Sequence, residues 1–538
     1  MPEGTTWSPH WIAAAAAGIF LAGFIAVGIV QAVGAETCAD LDDSDTAGYH
    51  LHRPSSSREC VGWTIDKPVN FSTASEMDPV NDVVHKIVEE NQRIARQSKP
   101  YVRVALVLPV PFAVSDGEAA RPVEALHALR GAFIGLQQAN HSAVLEDPTL
   151  QVQLVVVNVG ADQSRWDDPA VVPGLVELAK DRDHPLVAVA GMGLSLPSTT
   201  HAAKMLNDAG LPVIGSALNS DDMGNPRAFF KVAPSNHQLG RALAAYLSTL
   251  SNTQGSPLPT SYTGYLVYDR NEKDNYVRSL AASFRSAFPG LNLSDHSLAF
   301  NGSLGESITL FKQQVTDICT ARPQVVFFAG RDRDLGLFVD QLYDLRKCRD
   351  VPKNLLIVTG SPGLGIEAAK LDKAGVGQLN ASVADPHVWA GDPASAPKDF
   401  KDFLDAYGAL WHIDQDLDDG WGIVHRDGVA VAVSAARRTF ADLVAKRDST
   451  ATENKLDPIP RAVDVRDALS GSVDRLLPAA SGGFYYKEQP DNDLWPIGKL
   501  VPILRSGKIA KDLPPVDQSF RTACQRLKDP STLEVADC

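Results

Sequence analysis

The sequence predicts an α/β protein of two lobes, each a parallel sheet covered by helices, behind an N-terminal transmembrane helix. Three observations carry that prediction. Short apolar runs without polar alternation recur along the chain, among them "YVRVALVL", "QVQLVVVNV" and "LVAVA", and such runs suit strands buried on both faces. Each run is followed by a helix-periodic segment, the alternation expected of parallel sheets. The chain has 538 residues, more than one ordinary core accommodates, and the Pro-rich break "QGSPLPTSYTG" separates two such series.

The first element is "WIAAAAAGIFLAGFIAVGIVQAVGA", Trp11 to Ala35, long enough to span a bilayer as a helix. No Lys or Arg precedes it, which is a poor start for a secretory signal, although Val33 and Ala35 form a small-residue cleavage site. An uncleaved anchor is the first reading and a cleaved signal the second. Residues 1–10 are then a cytoplasmic tail, and 36–100 are read as a polar stalk. The segment "MDPVNDVVHKIVEENQRIARQ" has Val80, Val83, Val84, Ile87 and Ile94 on an apolar helical face, so the stalk is read as ending in a helix packed on the main body.

From Tyr101 the strand–helix alternation begins. "YVRVALVLPV" is a strand, followed by a helix with Leu126, Leu129, Phe133 and Leu136 on one face. "QVQLVVVNV" and "LVAVA" are strands, the latter followed by a helix that stops at Gly210 before Pro212. After the break, "GYLVYD", "QVVFFAG" and "NLLIVTG" are strands of the second series, with helices between them. The chain is therefore divided into 101–235, lobe 1, first part; 236–383, lobe 2, first part; 384–480, a return to lobe 1; 481–511, closing strands of lobe 2; and 512–538, a C-terminal tail. The return includes the helical "WGIVHRDGVAVAVSAARRTF", and "GGFYYKEQPDNDLWPIGKLVPIL" reads as hairpin-like.

Composition excludes some classes of function. The formal net charge is -15, without the basic stripe that nucleic acid requires. Six cysteines all follow the apolar segment. An even count beyond an export signal points to disulfides in an oxidising compartment. They fall into three local pairs: Cys38 with Cys60, Cys319 with Cys348, and Cys524 with Cys538. Cys319 and Cys348 each end a helix flanking the strand "VVFFA", and helix C-termini in a parallel βαβ unit share one edge of the sheet.

The most suggestive motif is "LVAVAGMGLSLPST", an apolar strand that ends in two glycines and then Ser195, Ser198 and Thr199. A nucleophile elbow needs G-x-S-x-G. Here Pro197 occupies the second glycine's place and lacks its torsional freedom, and nothing ties His387 or His425 to the serine. "TGSPGLGIEAAK" lacks the phosphate-loop lysine, and no dinucleotide fingerprint follows the first strand. "DQDLDDG" misplaces the glycine of a calcium loop and has no acid at the twelfth position; helix capping and a solvated face explain it. "HLH" at His50 to His52 is read as an exposed pair. No cofactor, metal or enzymatic activity is expected. In open α/β sheets ligands sit beyond the carboxyl ends of strands, so Ser195 is read as a hydrogen-bonding group in a cleft.

The order of these motifs resembles the type I periplasmic-binding-protein family, in particular the branched-chain amino-acid binding proteins of ABC transporters. The resemblance covers roughly 101–511. It rests on "VALVLP", "AVAGMGLSLPSTTHAAKMLNDAGLPVIGS", "FFKVAPSNHQLGRALAAYL", "GYLVYD" and "VVFFAGRDRDLGLFVDQL". It implies two lobes that close on a small ligand, with Ser195 holding the ligand carboxylate. Further first-lobe contacts would come from Ser216 to Asn219. Second-lobe contacts would come from Lys273, from Arg331 and Asp332, and from Ser361. Amino-acid binders usually have an acid near the Ser361 position and aromatics near Lys273 and Arg331; this chain has Ser, Lys and Arg there. The loop "GRDRD" serves an anionic or polyhydroxy ligand, or is a solvated surface.

The expected function is extracytoplasmic binding of a small polar solute, an amino acid or similar. The chain would act as the substrate-binding component of an ABC-type transporter or as a ligand sensor, with a membrane permease or signalling partner. The body would be tethered to the cell membrane by a single pass, or secreted if the segment is cleaved. The alternative is a structural or signalling ectodomain with a degenerate cleft.

Overall fold

The computed structural model describes residues 36–37, 48–55, 58–113, 121–224, 228–292, 297–304, 307–343, 354–360, 366–449, 458–471, 475–477, 479–486, 494–523, 525–529 and 534–537. The apolar segment 11–35 lies outside them, as do Ser361, Cys38, Cys348, Cys524 and Cys538. Among the described residues no helix is long and apolar enough to cross a membrane.

Lobe 1 carries strands β1 (Tyr49–His52), β2 (Val61–Thr64), β3 (Tyr101–Leu108), β4 (Gln151–Asn158), β5 (Leu186–Gly191), β6 (Val213–Gly215) and β7 (Phe229–Lys231). They form one sheet in the order β1-β2-β4-β3-β5-β6-β7. The five strands from β4 to β7 are parallel, and β1 and β2 add antiparallel at the β4 edge. The apolar runs are buried because both faces are covered. One face, with Val104, Leu106, Leu154 and Val156, packs against helices α1 (Asp78–Ala95), α2 (Pro122–His141) and a later helix. The other, with Ala105, Val107, Val155 and Val157, packs beside Trp63, Trp166 and Leu206.

Lobe 2 carries β8 (Gly264–Asp269), β9 (Ser297–Phe300), β10 (Val325–Ala329), β11 (Leu355–Thr359), β12 (Val376–Ala381), β13 (Leu500–Ser506) and β14 (Ser519–Arg521). Their order is β9-β8-β10-β11-β12-β13-β14, parallel through β12 and antiparallel beyond it. Helices α3 (Pro197–Asp208) in lobe 1, and α4 (Asn236–Ser251), α5 (Asn275–Ala287) and α6 (Asp332–Leu342) in lobe 2, cover the sheets. The 29-residue helix α7 (Trp421–Ser449) returns to lobe 1 and packs along α2. Gly131 and Gly135 of α2 face Gly422 and Val429 of α7, where any Cβ at Gly131 would collide with the Gly422 carbonyl.

Three expectations are corrected. Residues 49–95 are not a stalk. β1 and β2 extend the lobe 1 sheet, while α1 is the helix read as packed on the main body and buries Val80, Val83, Val84, Ile87 and Ile94 there. The buried Asn91 fixes that docking: its Nδ2 donates to the Ile65 and Leu154 carbonyls, and its Oδ1 accepts from Leu154 N. The polar composition misled because strands this short carry few apolar residues. The closing segment from 481 also belongs first to lobe 1. Leu494 bridges Phe230, and Tyr486 Oη donates to the Lys231 carbonyl at 2.9 Å, so the chain crosses into lobe 2 only at about Trp495–Leu500. The tail is not detached either: β14 pairs with β13 on the edge of lobe 2.

Cys60 and Cys319 are each disulfide-bonded.

Candidate functional site

In both sheets the strand order reverses once, between β3 and β5 in lobe 1 and between β8 and β10 in lobe 2. The crossovers from the two central strands leave in opposite directions there, so their carboxyl ends are uncovered and form a crevice. The residues that follow β5, β8 and β10 are therefore the ones topology offers to a ligand.

In lobe 1 the chain leaves β5 through three consecutive residues of positive φ: Gly191 (94°), Met192 (73°) and Gly193 (65°). A Cβ on Gly193 would run into Gln163 Oε1, and Pro109 Cδ would lie 2.9 Å from it. Gln163, fully buried and itself at φ 53°, accepts from Leu194 N at 2.8 Å. Thr199 Oγ1 donates to the Leu194 carbonyl at 2.7 Å. This turn sets Ser195 at the start of α3, only 3% exposed, where its Oγ accepts from Ser220 N at 3.4 Å. Neither His387 nor His425 hydrogen-bonds Ser195. His387 meets Asp414 at 3.3 Å. His425 hydrogen-bonds the Trp421 carbonyl through Nδ1, and burial pushes its pKa down to about 4.

The loop after β6 runs from Ser216 to Met223. Ser216 Oγ abuts Gly428 of α7 and has no partner among the described residues. Asn219 is 2% exposed; its carbonyl accepts from Asn236 N at 2.7 Å, and its Nδ2 has no partner. The rest of the loop is stitched to α5 of lobe 2. Ser220 Oγ donates to the Asn275 carbonyl at 2.9 Å, Ser279 Oγ donates to Asp221 Oδ2 at 2.7 Å, and Asn275 Nδ2 donates to the Asp222 carbonyl at 2.7 Å.

In lobe 2 the switch point is filled by charge. Asp274 follows β8 and caps α5, accepting from Tyr276 N and Val277 N. It also takes a two-pronged grip from Arg331, with Nε and one Nη each at 2.8 Å. The Arg331 guanidinium lies 4.6 Å from the centroid of the Tyr276 ring, whose hydroxyl donates to the Gly360 carbonyl. Burial works against the Arg331 charge, but Asp274 outweighs it and raises the pKa. Asp332, next in sequence, reaches across to lobe 1, where Arg121 meets it at 3.3 Å and Glu124 at 2.7 Å. Lys273 is exposed, and its backbone closes a turn on Asn271.

The structure places Ser195, Asn219, Arg331 and Asp332 in segments that follow sheet strands, and their partners are not evident from the sequence. Gln163, Arg121, Glu124, Asp274 and Tyr276 contribute through contacts distant in sequence. Asp274 leaves a local sign, an acid at a helix start, as does Glu124 in the first turn of α2, which accepts from Arg121 N at 3.2 Å. The acidic "DQDLDDG" is also spoken for: Asp416 pairs with Arg130 at 2.6 Å, and Asp419 with His127 at 2.7 Å.

No protein-family model and no curated protein sequence matches the chain. Solved structures do. An ABC transporter substrate-binding protein of Desulfitobacterium hafniense, in complex with Leu, aligns at 16% identity with a TM-score of 0.50, covering 75% of this chain and 97% of that one. The substrate-binding protein of a branched-chain amino acid transporter of Streptococcus pneumoniae, with isoleucine, aligns at 15% identity and TM-score 0.50, covering 78% and 99%. A solute-binding protein of an ABC transporter of Rhodopseudomonas palustris, with p-hydroxybenzoic acid, aligns at 13% identity and TM-score 0.51, covering 78% and 97%. The chain has the two-lobed type I periplasmic-binding-protein fold.

Proposed function

We propose that the chain binds a small polar solute between its lobes, outside the cytoplasm, as the substrate-binding component of an ABC-type transporter or as a ligand sensor. The observation that carries this reading is the lobe 1 wall. Gln163 Nε2 and Asn219 Nδ2 are buried amide donors without partners among the described residues, beside the turn that presents Ser195. An unpaired buried donor costs about 1–3 kcal/mol, which a ligand acceptor such as a carboxylate would relieve. The opposite wall argues against an anion held by Arg331. Asp274 already engages Arg331 with both carboxylate oxygens, and Asp332 is met by Arg121 of lobe 1, so these charges are spoken for and the lobe 2 end suits a hydroxyl or other neutral polar group. Lys273 and Ser361 complete the proposed set of contacts.

The bound states of Cys60 and Cys319 support an oxidising compartment, with Cys38–Cys60, Cys319–Cys348 and Cys524–Cys538 as the pairing we propose. The apolar segment 11–35 is proposed as a single-pass tether or cleaved signal. No nucleophile–base pair at the crevice supports an enzyme.

A second reading, a structural or signalling ectodomain with a degenerate cleft, draws on the Arg331–Asp274 and Arg121–Asp332 pairs, which fill part of the crevice with the protein's own charges. Thermal denaturation against a panel of L-amino acids and aromatic acids separates the two. A solute present at 100 times its Kd should add about 2.7 kcal/mol of stability. Calorimetry with that solute should then show Ser195→Ala weakening affinity by about 1.5–3 kcal/mol, the scale of a hydrogen bond to a charged group. A flat response across the panel favours the degenerate cleft.

A further inference from the structure

Where the chain crosses into lobe 2 for the last time, three buried side chains form a polar line between the lobes. Asp427 projects from α7 of lobe 1 and is fully buried. Its carboxylate accepts from Ala480 N at 2.7 Å, from Ser481 N at 3.0 Å and from Ser481 Oγ. The Ser481 hydroxyl is in turn bonded by Lys499 Nζ. Lys499 is fully buried and immediately precedes β13, and its backbone pairs with Thr522 beside β14. Any rotation of lobe 2 about this crossing has to move Lys499 relative to Ser481 and Asp427.

We propose that Asp427, Ser481 and Lys499 form an ionic hinge pin that holds the lobes in one relative orientation and releases them when the lysine loses its charge. Interior polar groups are directional where apolar contacts are not, so a pin of this kind fixes an angle rather than adding stability. Burial is the dominant influence on Lys499 and pushes its pKa down to about 8, with Asp427 opposing. Other charged and titratable groups lie close to the crossing. Arg426 is bonded to Asp427 and Gln138. Burial pushes the Tyr486 hydroxyl far above its usual range. Burial raises the Asp399 carboxyl pKa, with Arg426 opposing. Lys231 lies 4.5 Å from the Phe229 ring and 4.9 Å from that of Trp495. The device needs no ligand and is independent of what the cleft binds.

Small-angle X-ray scattering of the full chain from pH 6.5 to 9.5, without added ligand, tests it. The radius of gyration should change with a midpoint near pH 8, where Lys499 titrates. Lys499→Met should show the high-pH value throughout and no step. Its melting temperature at pH 6.5 should not fall, because a costly buried charge has been removed while Asp427 keeps its backbone donors. Asp427→Asn should move the midpoint to lower pH, a shift that loss of packing alone does not produce. A wild type that is invariant across the range, or a Lys499→Met protein that keeps the step, overturns the proposal. If Lys499→Met fails to fold, the direction of the Asp427→Asn shift decides.

Discussion

Lobe 1 and lobe 2 are built on five parallel strands in the same spatial order, the second beside the first and then the third, fourth and fifth. Each adds two antiparallel strands, lobe 1 beside its second strand from residues 49–64, lobe 2 beside its fifth from residues 500–521. At the shared switch point they diverge. Lobe 1 ends its central strand in three positive-φ residues and surrounds it with hydroxyls and amides, two of the amide groups unpartnered. Lobe 2 closes the same place with Asp274, Arg331 and the Tyr276 ring, all engaged with one another. Topology decides where a crevice opens, while side chains decide whether the protein or a ligand satisfies it.

The largest expected effect tests the self-satisfied side. Asp274→Asn leaves Arg331, 22% exposed, without its charge partner and should cost about 3 kcal/mol in urea unfolding, the low end for breaking a buried pair. Ser195→Ala, at the switch point of lobe 1, should cost under about 1 kcal/mol, because it is bonded by a single long hydrogen bond. Equal costs at the two sites would erase the difference between the lobes.

An acid titration sharpens the contrast elsewhere. Burial by itself would raise the carboxyl pKa of Glu90 on α1, but hydrogen bonds from Arg93 and His141 overcome it and hold the group at about 2, against 4.5 for a free glutamate. A depressed carboxyl stabilises the fold above its unfolded pKa, and that contribution is lost as pH falls from about 4.5 toward 2. The loss amounts to about 3 kcal/mol. In lobe 2, Asp269 is shifted the other way by burial. Hydrogen exchange at acid pH should therefore show 78–95 opening before the lobe 2 helices, and Glu90→Gln should flatten that pH dependence. Lobe 2 opening first would refute the assignment.

A smaller effect than the two of about 3 kcal/mol probes the lobe 1 turn. Gly193→Ala places a Cβ at φ 65° against Gln163 Oε1, and should cost about 2 kcal/mol by strain and overpacking. Leu194 N should exchange faster in the variant. A neutral Gly193→Ala would mean that the turn is softer than its hydrogen bonds imply.

Much of this was legible in one dimension. The strands of 101–108, 151–158 and 186–191 announce themselves because both of their faces are buried and most positions are apolar or β-branched, Arg103, Gln151, Gln153 and Asn158 apart. Glycine at 191 and 193 before Ser195 betrays a turn that only such residues tolerate. The short strands 49–52 and 61–64 were not legible, since four residues carry too little periodicity and their apolar side chains find partners only through tertiary packing. Asp274 and Arg331 were not paired in advance, because 57 residues and two strands lie between them.

By itself, then, the sequence determined the elements and their alternation, since hydrophobic period and helix-ending glycines act over a few residues. From these follow the doubly wound lobes and the placing of Ser195 at a strand end. Only the tertiary structure decided which strand ends share a crevice, that Arg331 is already neutralised by Asp274, and that Lys499 reaches back to Asp427. Pairings of that kind arise from burial, which brings charges together across long stretches of chain, and a buried charge must find whatever partner the packing supplies.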